Sequence, residues 1–229
     1  MNPLKNNAQR AKGVNIIFIT FLGINIITTV AYFLQVNLLH TLKSGVEDVE
    51  AATANDTRIS VLGIAYLVIL ICTIVFFILW FRRAYYNLHT TQRVNVFYTE
   101  GWAAGSWFVP FLNLVRPYQI MKEIWDKTQQ ATKNLLDVKG SAWVGWWWAL
   151  YLISNVASNV ANKMYNDDST YDTLLQATYA QIFANCIEIP AIIVTILMVK
   201  KTAAMEARLY QQYDEPIDET EDLIGEFHY

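Results

Sequence analysis

The feature that most constrains this chain is the spacing of its charges. Residues 14–39, 59–81 and 140–162 contain no Asp, Glu, Lys or Arg, and residues 173–199 contain only Glu188. About 20 helical residues at 1.5 Å each cross a hydrocarbon core of roughly 30 Å. All four stretches are long enough. Only 16% of the residues are charged and 54% are hydrophobic, against a soluble norm of about a quarter charged. The expected fold class is therefore an all-α integral membrane protein with four transmembrane helices. Lys5, Arg10 and Lys12 precede the first stretch, as in a signal peptide. Its apolar run is far longer than the roughly 7–15 residues of a cleavable segment, so it reads as an uncleaved anchor.

A fifth hydrophobic stretch, residues 101–115, reads GWAAGSWFVPFLNLV. Helical, it covers only about 22 Å, and Pro110 removes a backbone donor within it. The distribution of Lys and Arg selects between a crossing and a hairpin that enters and returns. With a re-entrant hairpin, fourteen of the 17 basic residues fall on one side, leaving Lys43, Arg58 and Lys163 on the other. The positive-inside rule then makes the rich side cytoplasmic. A full crossing would move the basic residues of 116–139 and 200–208 outside. The sequence thus predicts a short re-entrant hydrophobic hairpin with its turn at Phe108 to Pro110 packed against the spans. Both termini are cytoplasmic, and the location is the cell (inner) membrane. Gly101, Ala103, Ala104, Gly105 and Ser106 permit close packing.

Residues 118–139 form an amphipathic pattern. Ile120, Met121, Ile124, Trp125 and Thr128 share one arc, while Lys122, Glu123, Asp126 and Lys127 share the other. It is expected as an interfacial helix on the cytoplasmic membrane surface, with docking on a partner as the alternative. Glu123 and Lys127 are placed to pair at i,i+4. Trp80, Trp102, Trp107, Trp143, Trp146, Trp147 and Trp148 crowd the ends of the spans and read as interfacial anchors. After Lys200 and Lys201 the chain continues as a short helix and then turns acidic. The resulting division is a cytoplasmic N-terminus at 1–13, a four-span membrane domain at 14–205, and an acidic, solvated cytoplasmic tail at 206–229.

The run Trp80-Phe81-Arg82-Arg83-Ala84-Tyr85-Tyr86-Asn87-Leu88 is followed by Glu100-Gly101-Trp102-Ala103 and then by residues 105–125, which include Pro110, Asn113, Arg116, Pro117 and Tyr118. This long pattern resembles the bacterial membrane family called domain of unknown function 4328. The likeness in hydropathy runs from about residue 14 to about 205. It implies a four-span membrane architecture and brings no established activity.

Catalytic and cofactor signatures are missing from the sequence. His40, His89 and His228 lie in separate regions, Cys72 and Cys186 both fall inside spans as inert buried thiols, and no phosphate loop or nucleophile elbow occurs. The expectation is no enzyme, no metal, no cofactor and no nucleic-acid partner. The partners expected are the lipid bilayer and a membrane protein or a second copy of the chain.

Polar side chains do align inside two spans. Ser154, Asn155, Ser158, Asn159 and Asn162 recur on one face of the third, and Thr178, Gln181, Asn185 and Glu188 on one face of the fourth. The expected register sets Asn159 opposite Gln181 and Asn155 opposite Asn185, with Glu188 at the inner end. One reading is helix-to-helix amide bonding in a membrane scaffold or accessory subunit, the favoured function. The alternative is a small transporter, channel or sensor with an outward polar cavity ending at Glu188. Pro190 leaves the Cys186 carbonyl without its helical donor, which suggests a cation site shared with Glu188.

Overall fold

A computed structural model of the chain describes residues 4–91, 93–132, 140–165 and 170–214. The expected tail at 206–229 is corrected over 206–214, which continues α6 with Glu206 and Leu209 buried; its remainder and the 133–139 end of the expected interfacial helix lie outside these residues. The described residues form six α-helices and no strand: α1 Ala8–Lys43, α2 Val49–Thr91, α3 Trp102–Gly105, α4 Arg116–Ala131, α5 Ala142–Lys163 and α6 Tyr171–Asp214. Among them, Ala8–Lys43, Val49–Thr91 and Tyr171–Gln212 are long and apolar enough to cross a membrane. The chain is a helical membrane protein. The remaining expected span, residues 140–162, falls on α5, which is 22 residues long but is not among those three helices. Four tryptophans, two serines and three asparagines dilute its hydropathy.

The ends of the long helices follow local chemistry. Gly45 terminates α1 with φ of +93°, a conformation that glycine adopts without a Cβ penalty. Asp48 then caps α2, its Oδ1 accepting the Ala51 amide at 2.9 Å. At the start of α6 the Thr170 hydroxyl accepts the Thr173 amide. Lys43 at the end of α1 pairs with Asp172 at the start of α6.

The helices pack as a curved row in the order α2, α1, α6, α5. Small side chains let α1 and α6 approach closely: Ala31, Ala177 and Ala184 are all buried. Phe21, Ile192 and Ile196 continue that seam. Gly13 on α1 serves a similar purpose toward α2, since a Cβ there would sit 3.2 Å from the Phe76 ring.

The row is tied together at one end, here called the basic end because Arg10, Arg82 and Arg83 lie there. Trp80, Phe81, Tyr85 and Leu88 of α2 are buried with Val144 and Trp147 of α5 and Val199 of α6. The arc of α4 formed by Ile120, Met121, Ile124 and Trp125 completes this core. That arc faces α2, α5 and α6, so protein rather than a membrane surface receives it. Burial also corrects the reading of the tryptophans: Trp80, Trp147 and Trp148 are core residues, whereas Trp143 and Trp146 stay exposed. Cys186, expected buried, is exposed.

The 101–115 segment is a one-turn helix, a reversal and a 3-10 turn at Leu112–Leu114. Its packed part is not the tip. Ala103 and Ser106 are fully buried, and the half-buried Trp107 meets Phe77, Phe81, Trp148 and Tyr151 with ring centroids 5.6, 5.9, 6.1 and 5.9 Å away. Phe108, Val109, Pro110 and Phe111 are exposed, contrary to the expected contact with the spans. Within the reversal the Asn113 amide donates to the Val109 carbonyl at 2.9 Å and the Phe108 amide to Gly105 at 3.1 Å. The Val109 and Phe111 amides have no such partner among the described residues, and Phe111 takes a positive φ of 63°.

Candidate functional site

The two ends of the row, α2 and α5, face each other across a cavity of about 670 Å³. One wall is α2, with Gly63, Tyr66, Leu67, Leu70 and Ile74. The opposite wall is α5, with Ser154, Asn155, Ser158, Asn159 and Asn162. Gln181, Asn185 and Glu188 of α6 and Thr28 and Tyr32 of α1 form the back. Leu67 and Ile74 on one side and Asn155 and Asn159 on the other are exposed, so the cavity opens at the molecular surface between α2 and α5. Both polar stripes read from the sequence line it except at Thr178, which is buried and accepts the Gln35 amide of α1.

Glu188 is set at the back by two donors. Asn25 of α1 donates Nδ2–H to Oε2 at 2.6 Å, and the Tyr66 hydroxyl of α2 donates to the same oxygen at 2.7 Å. Neither donor was singled out in the sequence. The available signal was depth: each is a lone hydrogen-bonding side chain near the centre of an apolar run, level with Glu188. Glu188 is not the floor of the cavity. The lining continues past it to Ala191, Ile192 and Thr195, and closes on Phe77, Trp107 and Trp147. Trp147 Nε1 donates to Thr195 Oγ1 there at 3.1 Å.

The register of the amides differs from the expected one. Gln181 donates to Asn162 Oδ1 at 2.7 Å rather than meeting Asn159, and Asn185 donates to Thr29 Oγ1 of α1 at 3.0 Å rather than meeting Asn155. Asn155 and Asn159 instead bond the carbonyls one turn back, Tyr151 and Asn155, both at 2.8 Å. In lipid the reference state also lets a lone amide bond its own helix, so facing partners gain little. The proposed partnership of Glu188 with the Cys186 carbonyl also fails geometrically. Residues two apart lie about 200° around a helix, and Cys186 is exposed while Glu188 faces the cavity.

The family-motif residues gather at the basic end, with Trp107 and Phe108 reaching the cavity. Arg82 Nε pairs with Glu100 Oε1 at 3.3 Å. Gly101 precedes α3, and Trp102 begins it. Arg116 stacks on the rings of Tyr98 and Trp102, 4.2 and 5.1 Å from their centroids. Pro117 sits buried in the first turn of α4, where a missing amide is tolerated, with Tyr118 half-buried beside it. Pro110 lies in the exposed reversal, and Asn113 in the 3-10 turn. Glu123 does not pair with Lys127: it accepts the Tyr85 hydroxyl at 2.6 Å and the Phe97 amide at 3.0 Å, while Lys127 donates to Gln130.

A second polar cluster at this end went unread. Glu206, 3% exposed, accepts Asn7 Nδ2 at 3.0 Å and Asn87 Nδ2 at 3.3 Å. Asn87 also exchanges backbone hydrogen bonds with Lys5 and reaches Tyr210 Oη at 2.6 Å. Asn7 precedes α1 yet makes no side-chain cap, its amide being committed to Glu206. Glu206 lies beyond Lys200 and Lys201, outside the apolar stretch of α6. Burial pushes its carboxyl up to about 7, against the downward pull of the Asn7 and Asn87 hydrogen bonds and the Arg83 charge.

Among the described residues no group of His, Cys, Asp and Glu could hold a metal ion. No curated protein and no solved structure matches the chain. One family model does match, over residues 43–204, which takes in α2 to the Lys200 region of α6 and leaves α1, Asn25 and Glu206 outside. On that match, with the Arg82 to Tyr118 pattern inside it, the chain belongs to the family described as "Domain of unknown function (DUF4328)".

Proposed function

We propose that this chain is a non-enzymatic, four-span membrane protein that binds a small polar solute inside the bilayer, as a transporter or sensor, in the cavity between α2 and α5. The observation that carries the reading is Glu188. An ionisable side chain at the centre of a span is costly unless it serves a site, and this one borders a cavity instead of being sealed between helices. The 22-residue length of α5 supports its role as the fourth span. The return of the 101–115 segment, packed through Ala103, Ser106 and Trp107, supports a re-entrant hairpin, and the arginines at the basic end support a cytoplasmic placement of that end and of both termini.

The test is water access. In a Cys72→Ala, Cys186→Ala background, Ser158→Cys should react with a small membrane-impermeant thiol reagent, with Lys43→Cys as the exposed control. Reaction of Lys43→Cys alone would mean that the polar stripes pack dry. The scaffold or accessory-subunit reading would then stand, favoured by the exposed apolar surface of α2 at Val61, Ile64, Val68 and Ile71, which a membrane partner or second copy would cover.

A further inference from the structure

We infer that the cavity selects a primary alkylammonium: an amphiphile whose N–H groups bond the α5 and α6 wall while its hydrocarbon chain lies along α2 and leaves between α2 and α5. This rests on the binding reading above and names its ligand class.

Asn155 and Asn159 each spend one N–H on a carbonyl of their own helix. Gln181 spends one N–H on Asn162 Oδ1, and Asn185 donates to Thr28 and Thr29. Asn155, Asn159, Gln181 and Asn185 therefore keep their amide oxygens for a ligand, beside the N–H groups not used in these bonds. Glu188 adds another acceptor, since Asn25 and Tyr66 both donate to Oε2 and leave Oε1 without a donor. No Lys or Arg lines the cavity. Free amide oxygens around one carboxylate suit a cation that brings several hydrogens, and the carboxylate disfavours an anion.

The opposite wall decides the rest of the ligand. Leu67, Leu70, Ile74 and Ile78 of α2 offer only carbon, and the mouth between α2 and α5 continues that surface outward. A headgroup on α5 and α6 with a chain on α2 uses both walls.

The experiment is protection of Ser158→Cys from the thiol reagent, in the same cysteine-free background of the full chain in uncharged detergent. Octylammonium should slow labelling saturably. Octyltrimethylammonium, with equal charge and chain but no N–H, should protect roughly tenfold less, as should octanol and Na⁺. Asn159→Leu, on an exposed position that leaves Glu188 and its donors in place, should weaken octylammonium protection without abolishing labelling. Glu188→Gln should weaken it further. Equal protection by octylammonium and octyltrimethylammonium, or by Na⁺, would overturn the donor-bearing ligand while leaving the cavity in place. A cysteine that never reacts would overturn the cavity as well.

Discussion

Glu206 shows how one residue can couple three parts of the chain. Its carboxyl joins the segment before α1 through Asn7, α2 through Asn87, and its own helix. Because burial raises its pKa to about 7, against an unfolded value near 4.3, the folded state holds a proton that the unfolded state has released. The stabilisation is therefore complete below about pH 4 and is lost as pH rises through about 7. The full difference is on the order of 3 kcal/mol. Melting temperature should fall between about pH 5 and pH 7 in the native chain and stay flatter in Glu206→Gln, whose neutral amide keeps the size of the protonated acid. Parallel pH profiles for the two proteins would show that Glu206 does not titrate in the fold. In the sequence this residue looked like one acid among many on a polar helix end. Its partners are 199 and 119 positions away, and no local pattern encodes contacts of that range. Glu188 was legible because an acid in an apolar run has no ordinary surface explanation.

At the scale of elements, hydropathy located the long helices well, since charge-free stretches have one economical solution in lipid. Neighbour order was not legible. The amide register failed because α1, apolar in composition, inserts Thr28, Thr29 and Asn25 beside α6, and these took the partners assigned to α5. The tryptophans misled for a related reason: Trp suits a membrane interface and an aromatic core equally, and only the return of the 101–115 segment decides between them. That segment is held by Trp107 and Arg116 rather than by its tip. Trp107→Ala should lower stability in detergent by about 2 kcal/mol, through lost ring packing. Arg116→Lys should cost about 1 kcal/mol, because an ammonium cannot stack between Tyr98 and Trp102 as a guanidinium does. Phe111, 84% exposed, should tolerate Phe111→Leu within about 0.5 kcal/mol. Thermal denaturation of the three variants checks this order. A greater loss at Phe111 than at Trp107 would mean that the tip, not the knob, anchors the segment.

For the whole molecule the proposed topology rests on the charge count. Reporter fusions at residues 95, 130 and 229 should all report cytoplasm, and periplasmic activity at 130 with cytoplasmic activity at 95 would mean a full crossing at 101–115. The family match begins at residue 43, so α1, which supplies Asn25 to the cavity and follows Asn7 of the Glu206 cluster, is the part of the fold least constrained by that pattern.

The row arrangement also makes α2 a lever. Trp80, Phe81, Ala84, Tyr85 and Leu88 fix its basic end in the core, whereas Val61, Ile64, Leu67 and Val68 near its other end are exposed. Along the membrane-crossing part α1 flanks it, and the Tyr66–Glu188 hydrogen bond ties it to α6. Gly63 stands about 26 Å along the axis from Trp80. A tilt of about 5° pivoting there would carry Gly63 by about 2 Å, whereas Trp107 and Trp147, close to the pivot, would hardly move. Small rotations at the clamped end therefore change the width of the mouth far more than the shape of the floor, so the entry of an alkyl chain and the seating of its headgroup can respond to different forces.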